Sequence, residues 1–185
     1  HQRFFNGYSD VKLPHKFKIG VGGCPNSCIK PDLNDLGITG QKMPDFNQDK
    51  CMGCKKCPVE QICSMEAAKV IDGMLKIDKA KCNNCGRCIG KCHFDAVAGG
   101  KTGYKIYIGG RWGKQIALGK PLHNIFTDKE EVMDIIEKTI LLYKEQGKTG
   151  ERLSQTMERL GFENVESQLL SNELLERKKK ILEAT

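Results

Sequence analysis

The chain has 185 residues, with 30 basic and 23 acidic side chains for a formal charge of +7, and ten cysteines. Its apolar patches, such as Ile135-Ile136 and Ile140-Leu141-Leu142, are broken by charges well short of a bilayer's width, which excludes a membrane span. A single Trp and no basic stripe interleaved with aromatics argue against a nucleic-acid partner, and cysteines clustered at short spacings argue against a secreted disulfide framework.

In chain order, residues 1–43 read as irregular segments around one strand. Phe17, Ile19 and Val21 alternate with Lys18 and Gly20 before Gly22-Gly23 ends the run. The turn Cys24-Pro25-Asn26-Ser27-Cys28 follows, and Asp35–Gly40 forms a second short extended piece. The chain opens on His1 rather than Met, which suggests trimming or an excised piece of a longer protein. No secretory signal or arginine-rich transit segment precedes the first strand, and a cytoplasmic setting is expected.

Residues 44–99 change character. Two half-repeats, Cys51-x2-Cys54-x2-Cys57 and Cys82-x2-Cys85-x2-Cys88, are offset by 31 residues, and each has a trailing cysteine, Cys63 or Cys92. Short helices are expected at Met65–Ala68 and Phe94–Val97, with a strand at Gly73–Asp78 between the halves. Residues 100–126 return to strand and glycine. Tyr104–Ile108 alternates and closes on Gly109-Gly110, like the strand before Gly22-Gly23, which predicts that the two are neighbours in one sheet interrupted by an insert.

The rest is helical. Thr127 with Glu130 reads as a capping box, and Val132, Ile135, Ile136, Ile140 and Leu141 mark one face of a helix ending at Gly147. A second helix is predicted over Glu151–Leu160, and a third from about Val165 to Leu182. Arg177–Lys180 reads as a solvated face. The fold class is therefore α+β, divided as 1–43 with 100–185, and 44–99.

The strongest chemical signal is the repeated Cys-x2-Cys-x2-Cys run. Three thiols at this spacing point onto three corners of an iron–sulfur cubane, and the fourth ligand comes from the other half. On that pattern Cys51, Cys54, Cys57 and Cys92 hold one [4Fe-4S] cluster, and Cys82, Cys85, Cys88 and Cys63 hold the second. Structural zinc uses pairs of ligands instead. Two oxidised clusters with their eight thiolates add about −4, leaving a net charge of about +3. The usual proline after the trailing cysteine is replaced by Ser64 and His93, and five residues separate Cys57 from Cys63, which suggests a small bulge. His93 reads as a structural stand-in, with a redox-linked proton site as the alternative.

Beyond the cubane pattern, Lys18–Cys28 with Asn34–Ile38, and Tyr107–Gly113 past the insert, resemble the sirohaem-dependent sulfite and nitrite reductases. A ferredoxin module between these segments resembles the dissimilatory and anaerobic sulfite reductase subunits in particular. The resemblance implies sirohaem and a further [4Fe-4S] cluster in the full-length parent. Cys24 and Cys28 match the second pair of that cluster's four ligands, and Cys28 would bridge it to the sirohaem iron. With sirohaem bound, Arg111 and Lys114 are candidates for charge-assisted bonds to its carboxylates, and Asn26 is a candidate contact to the macrocycle. Turn chemistry for Asn26, and a plain surface hairpin for the other two, are the alternatives.

The family's first cysteine pair and its substrate-binding basic residues have no counterpart here, so this chain alone is expected not to assemble the coupled centre. In the parent, the resemblance implies electrons passing from an electron-donor protein or subunit through the clusters to sirohaem. A small anion, sulfite or nitrite, would be reduced there, six electrons taking sulfite to sulfide, within an oligomer. A non-catalytic ferredoxin-type carrier is the rival reading, and a zinc-binding regulatory module a third.

Overall fold

The computed structural model describes residues 2–184. The chain forms two compact units. One comprises residues up to Gly22, Ser27–Thr39 and Tyr104 onward; the other comprises Gly23–Asn26 and Gly40–Gly103.

The first unit is a sheet backed by helices. Strand β1 (Ile19–Gly22) pairs in parallel with β2 (Leu36–Asp45), Ile19 opposite Leu36 and Val21 opposite Ile38. Strand β5 (Gly99–Ile108) and β6 (Lys120–Phe126) are antiparallel, with a register shift between Lys105 and Tyr107. The sheet order is β1-β2-β5-β6. The two glycine-terminated strands are therefore not neighbours, because β2 lies between them. Its ten residues were foreshadowed only by a six-residue extended piece. Leu36 through Thr39 are all buried, so the alternation that marks a half-exposed strand is lost there.

Helix α1 (Gln2–Tyr8) and the long α3 (Lys129–Gln146) belong to this unit. The cap of α3 falls one residue later than the sequence suggests: the Asp128 carboxylate, not Thr127, accepts from the Glu130 amide at 3.0 Å. The helix stops at Gly147 as expected. It is buried around its whole circumference from Ile135 to Tyr143, rather than along one face. Glu137, Lys138 and Thr139 can be buried because each finds a partner. Arg3, Tyr8 and Lys178 bond to Glu137, Lys138 Nζ donates to Asn172 Oδ1 at 3.0 Å, and Thr139 Oγ1 donates to the Ile135 carbonyl at 2.7 Å.

The remaining helices are α4 (Leu153–Leu160), α5 (Phe162–Leu170), α6 (Glu173–Glu176) and α7 (Lys178–Glu183). The single helix expected over 165–182 is thus broken twice. Ser171-Asn172 is the first break: the side chains of such residues compete for backbone hydrogen bonds, and Lys138 holds Asn172 in place. Arg177 is the second. The breaks let Leu169, Leu174 and Ile181 all reach one core with Leu36, Ile38, Ile106, Ile108, Leu122 and Leu141.

A buried ion pair crosses this unit. Arg152 grips Asp35 with two bonds, Nε to Oδ1 at 3.2 Å and Nη2 to Oδ2 at 2.6 Å, and the Lys18 amide adds a third at 3.0 Å. Asp35 is fully buried and Arg152 is 6% exposed.

The second unit contains helix α2 (Pro58–Ile62) and a hairpin of β3 (Ala68–Ile71) and β4 (Met74–Ile77). Its two-residue turn is Asp72-Gly73, both at positive φ, which matches the twist of the strands. The expected strand over 73–78 is β4. The helices expected at Met65–Ala68 and Phe94–Val97 are not formed. Glu66 and Asp95 sit at φ of 50° and 54°, outside any right-handed helix. The long spacing after Cys57 is filled by α2 rather than a bulge, with Pro58 at its first position.

Candidate metal centre

The two half-repeats fold alike around their cysteines. Gly53 and Asn84, each two residues past the first cysteine of its loop, are both left-handed, at 61° and 56°. After the trailing cysteines, the Glu66 amide donates to the Cys63 carbonyl at 3.1 Å and the Asp95 amide to the Cys92 carbonyl at 3.2 Å.

The ten cysteines are all free thiols, and Cys57 is buried. Cys57 shares a small core with Val59, Ala68, Leu75 and Val97, against which Cys51, Cys63, Cys88 and Cys92 pack. Both trailing cysteines thus belong to one apolar cluster with Cys51, Cys57 and Cys88, members of both triplets. Burial pushes the Cys88 thiol up, and the charges of Cys82, Cys85 and Cys63 push it further. The Leu75 amide donates to Cys51 Sγ at 3.5 Å, a type of bond that tunes cluster potential.

Beside Cys82, the buried Oδ1 of Asn83 is without a hydrogen-bond partner. The same amide turned over presents an N–H donor at that point. Among the described residues, no three His, Cys, Asp or Glu side chains could share one metal ion. A cubane does not require that, since each thiolate binds a different iron. Soft thiols in apolar surroundings, with backbone N–H donors, fit iron–sulfur clusters.

Each loop is also braced differently. A Cβ at Gly53 would lie 2.2 Å from the Gly73 carbonyl oxygen, so only glycine lets the first loop meet the hairpin turn. In the second loop, Gly86 lies under the Lys42 side chain, and the Lys42 amide donates to the Asn84 carbonyl at 2.7 Å.

The other sequence candidates are placed as follows. Cys24 falls in the second unit and Cys28 in the first, and both are exposed. Cys28 lines a cavity of about 280 Å³ with Lys18, Lys30, Asn34, Trp112 and Arg152. Lys30 Nζ stands 5.6 Å over the Trp112 ring. Asn26 is exposed. Arg111 donates to Gln115 Oε1 at 3.0 Å, and Lys114 is exposed; neither lines this cavity. Lys18, Lys30 and Arg152, three cations around Cys28, went unmarked in the sequence. Lys30 could have been noticed two residues past Cys28, whereas Arg152 is brought there only by the fold.

The nitrite and sulphite reductase 4Fe-4S domain matches residues 1–179. The chain belongs to that family. This reductase-family chain is 32% identical over 159 residues to the coenzyme F420-dependent sulfite reductase of Methanocaldococcus jannaschii, covering 85% of itself and 25% of that protein. It is 24% identical over 194 residues to the alpha subunit of the dissimilatory-type sulfite reductase of Allochromatium vinosum, covering 89% of itself and 45% of that subunit. Its fold matches the crystal structure of dissimilatory sulfite reductase I with a TM-score of 0.64 at 24% identity, over 91% of this chain and 46% of the other. The chain thus spans a quarter to about half of these relatives. Among the described residues, no helix is long and apolar enough to cross a membrane.

Cys24 and Cys28 supply two thiols, and the other eight cysteines lie between Cys51 and Cys92.

Proposed function

We propose that residues 44–99 are a two-cluster ferredoxin domain within the sirohaem domain of a sulfite reductase, residues 1–43 and 100–185. Cys51, Cys54, Cys57 and Cys92 hold one [4Fe-4S] cluster; Cys82, Cys85, Cys88 and Cys63 hold the other. Bound clusters supply one-electron transfer between fixed positions. The chain's own contribution is to hold the thiolates, exclude water from them with Val59, Leu75 and Val97, and donate an N–H to Cys51 Sγ.

The observation that carries this reading is the gathering of both trailing cysteines, Cys63 and Cys92, into one apolar cluster with Cys51, Cys57 and Cys88, members of both triplets. Sulfite is favoured over nitrite because the relatives are named sulfite reductases. The whole enzyme would reduce it by six electrons to sulfide, with sirohaem, a further cluster and an electron donor, in an assembly of subunits in the cytoplasm. Cys28 would serve that centre as thiolate, with Cys24 beside it in the sequence and Asn26, Arg111 and Lys114 toward the macrocycle.

Anaerobic reconstitution followed by iron and acid-labile sulfide analysis tests the reading. About eight of each per chain are expected. Zinc, or a colourless iron-free protein, overturns it.

A further inference from the structure

The two cysteine loops carry different residues at matched places. Gly53 and Asn84 hold the same left-handed position, and Met52 matches Asn83. Neither Met52 nor Gly53 has a side-chain N–H or O–H, and Met52 is 67% exposed. The first loop receives a backbone donor instead, the Leu75 amide on Cys51 Sγ. In the second loop Cys82 takes the place of Cys51, and its Sγ lies 3.6 Å from Asn84 Oδ1. The Lys42 amide pins the Asn84 backbone through its carbonyl, at 2.7 Å. Glycine takes a left-handed conformation at no steric cost, so backbone shape alone does not call for asparagine there.

The Cys82–Asn84 hydrogen bond runs from thiol to amide oxygen. A ligating cysteine is a thiolate and has no proton to give. Its sulfur would then face the lone pairs of Oδ1, and a half-turn of the carboxamide replaces that repulsion with an N–H donor. Asn83 adds an independent observation. Among the described residues its Oδ1 is the one buried side-chain N or O atom without a hydrogen-bond partner. Such an orphan is unfavourable, and the turned-over amide offers a donor within the ligand loop.

Resting on the cluster reading above, we propose that Asn83 and Asn84 turn their carboxamides to donate N–H to sulfur at the second cluster, Asn84 to Cys82 Sγ, and so raise that cluster's reduction potential. The reduced cluster carries one more negative charge than the oxidised one, so the donors stabilise it more. The two halves thus repeat in ligand spacing but not in donors, and the asparagines bias a shared electron toward the Cys82–Cys88 half. An ordered water on Asn83 and a purely conformational role for Asn84 would leave the potential where it is.

The test uses the reconstituted full chain, titrated with a reductant under anaerobic conditions and followed by EPR. N83M/N84G gives the second loop the first loop's residues and keeps a residue suited to positive φ. It should make one cluster about tenfold harder to reduce, about 59 mV for one electron, and leave the other within about twofold. Asn84→Gly and Asn83→Met alone should each give part of that shift. Asparagine labelled with 15N in the side-chain amide should show a 15N coupling to a reduced cluster by pulsed EPR in the wild type, and none in N83M/N84G. Unmoved potentials in a loaded variant, equal shifts of both clusters, or a loaded wild type without the 15N coupling overturns the inference. Should the variants take up less iron, the wild-type coupling still decides. Iron and sulfide content is measured on each sample, and a wild-type chain that takes up no cluster overturns the cluster reading itself.

Discussion

The two units of this molecule are stabilised by different means. The first buries Leu36, Ile106, Leu122, Leu141, Leu153 and Leu169 in a continuous apolar core. The second has a core of Cys57, Val59, Ala68, Leu75 and Val97, with further cysteines packed against it. A unit of 68 residues with so little apolar burial is marginal without metal, because ordering its backbone costs about 1–2 kcal/mol per residue. Thiols that occupy core positions add little apolar area by themselves, and ligation adds the free energy of metal binding to that of folding.

The sharpest way to break this comparison is to remove the metal. Chelation of the reconstituted protein under anaerobic conditions should abolish amide protection across β3 and β4 while leaving α3 protected, as read by hydrogen exchange. Retained protection in the hairpin would place the stability of the second unit in its apolar residues instead.

The converse change should unfold the first unit and spare the second. Arg152→Ala strands the fully buried Asp35 carboxylate and should cost about 3–5 kcal/mol in denaturant unfolding, with iron content unchanged. Replacing both partners by apolar residues should recover most of that loss.

A smaller effect is expected from acid. Burial would raise the Glu137 carboxyl, but hydrogen bonds from Lys178, Tyr8 and Arg3 outweigh it and hold it at about 2, below its ordinary 4.5. A depressed carboxyl stabilises the fold fully above its unfolded value. The contribution of Glu137 should be intact above about pH 4.5 and fade as pH falls toward 2. Glu137→Gln should lower stability at neutral pH and flatten that acid slope, measured by thermal melts of the apo chain.

The second unit was more legible in the sequence where chemistry dictates spacing. Strand β4 is where its alternation puts it, because a half-buried strand leaves a direct mark. The Met65 and Phe94 segments were misread as helix because left-handed turns at Glu66 and Asp95 carry no glycine to announce them. In the first unit, β1, β5, α3 and α4 were legible from their periodicity and glycine stops. The place of β2 between β1 and β5 was not, since burial on both faces erases alternation. Nor was the Asp35–Arg152 pair, whose members are brought together only by the tertiary fold. The cations around Cys28 were missed for the same reason.

The exchange of trailing cysteines between halves is tested most directly by counting iron in two double variants, C63A/C85A and C63A/C54A. If Cys63 serves the Cys82–Cys88 loop, the first pair removes one cluster and leaves about four irons per chain, while the second pair disrupts both clusters and leaves almost none. The reverse pattern, about four irons in C63A/C54A and none in C63A/C85A, would contradict the assignment.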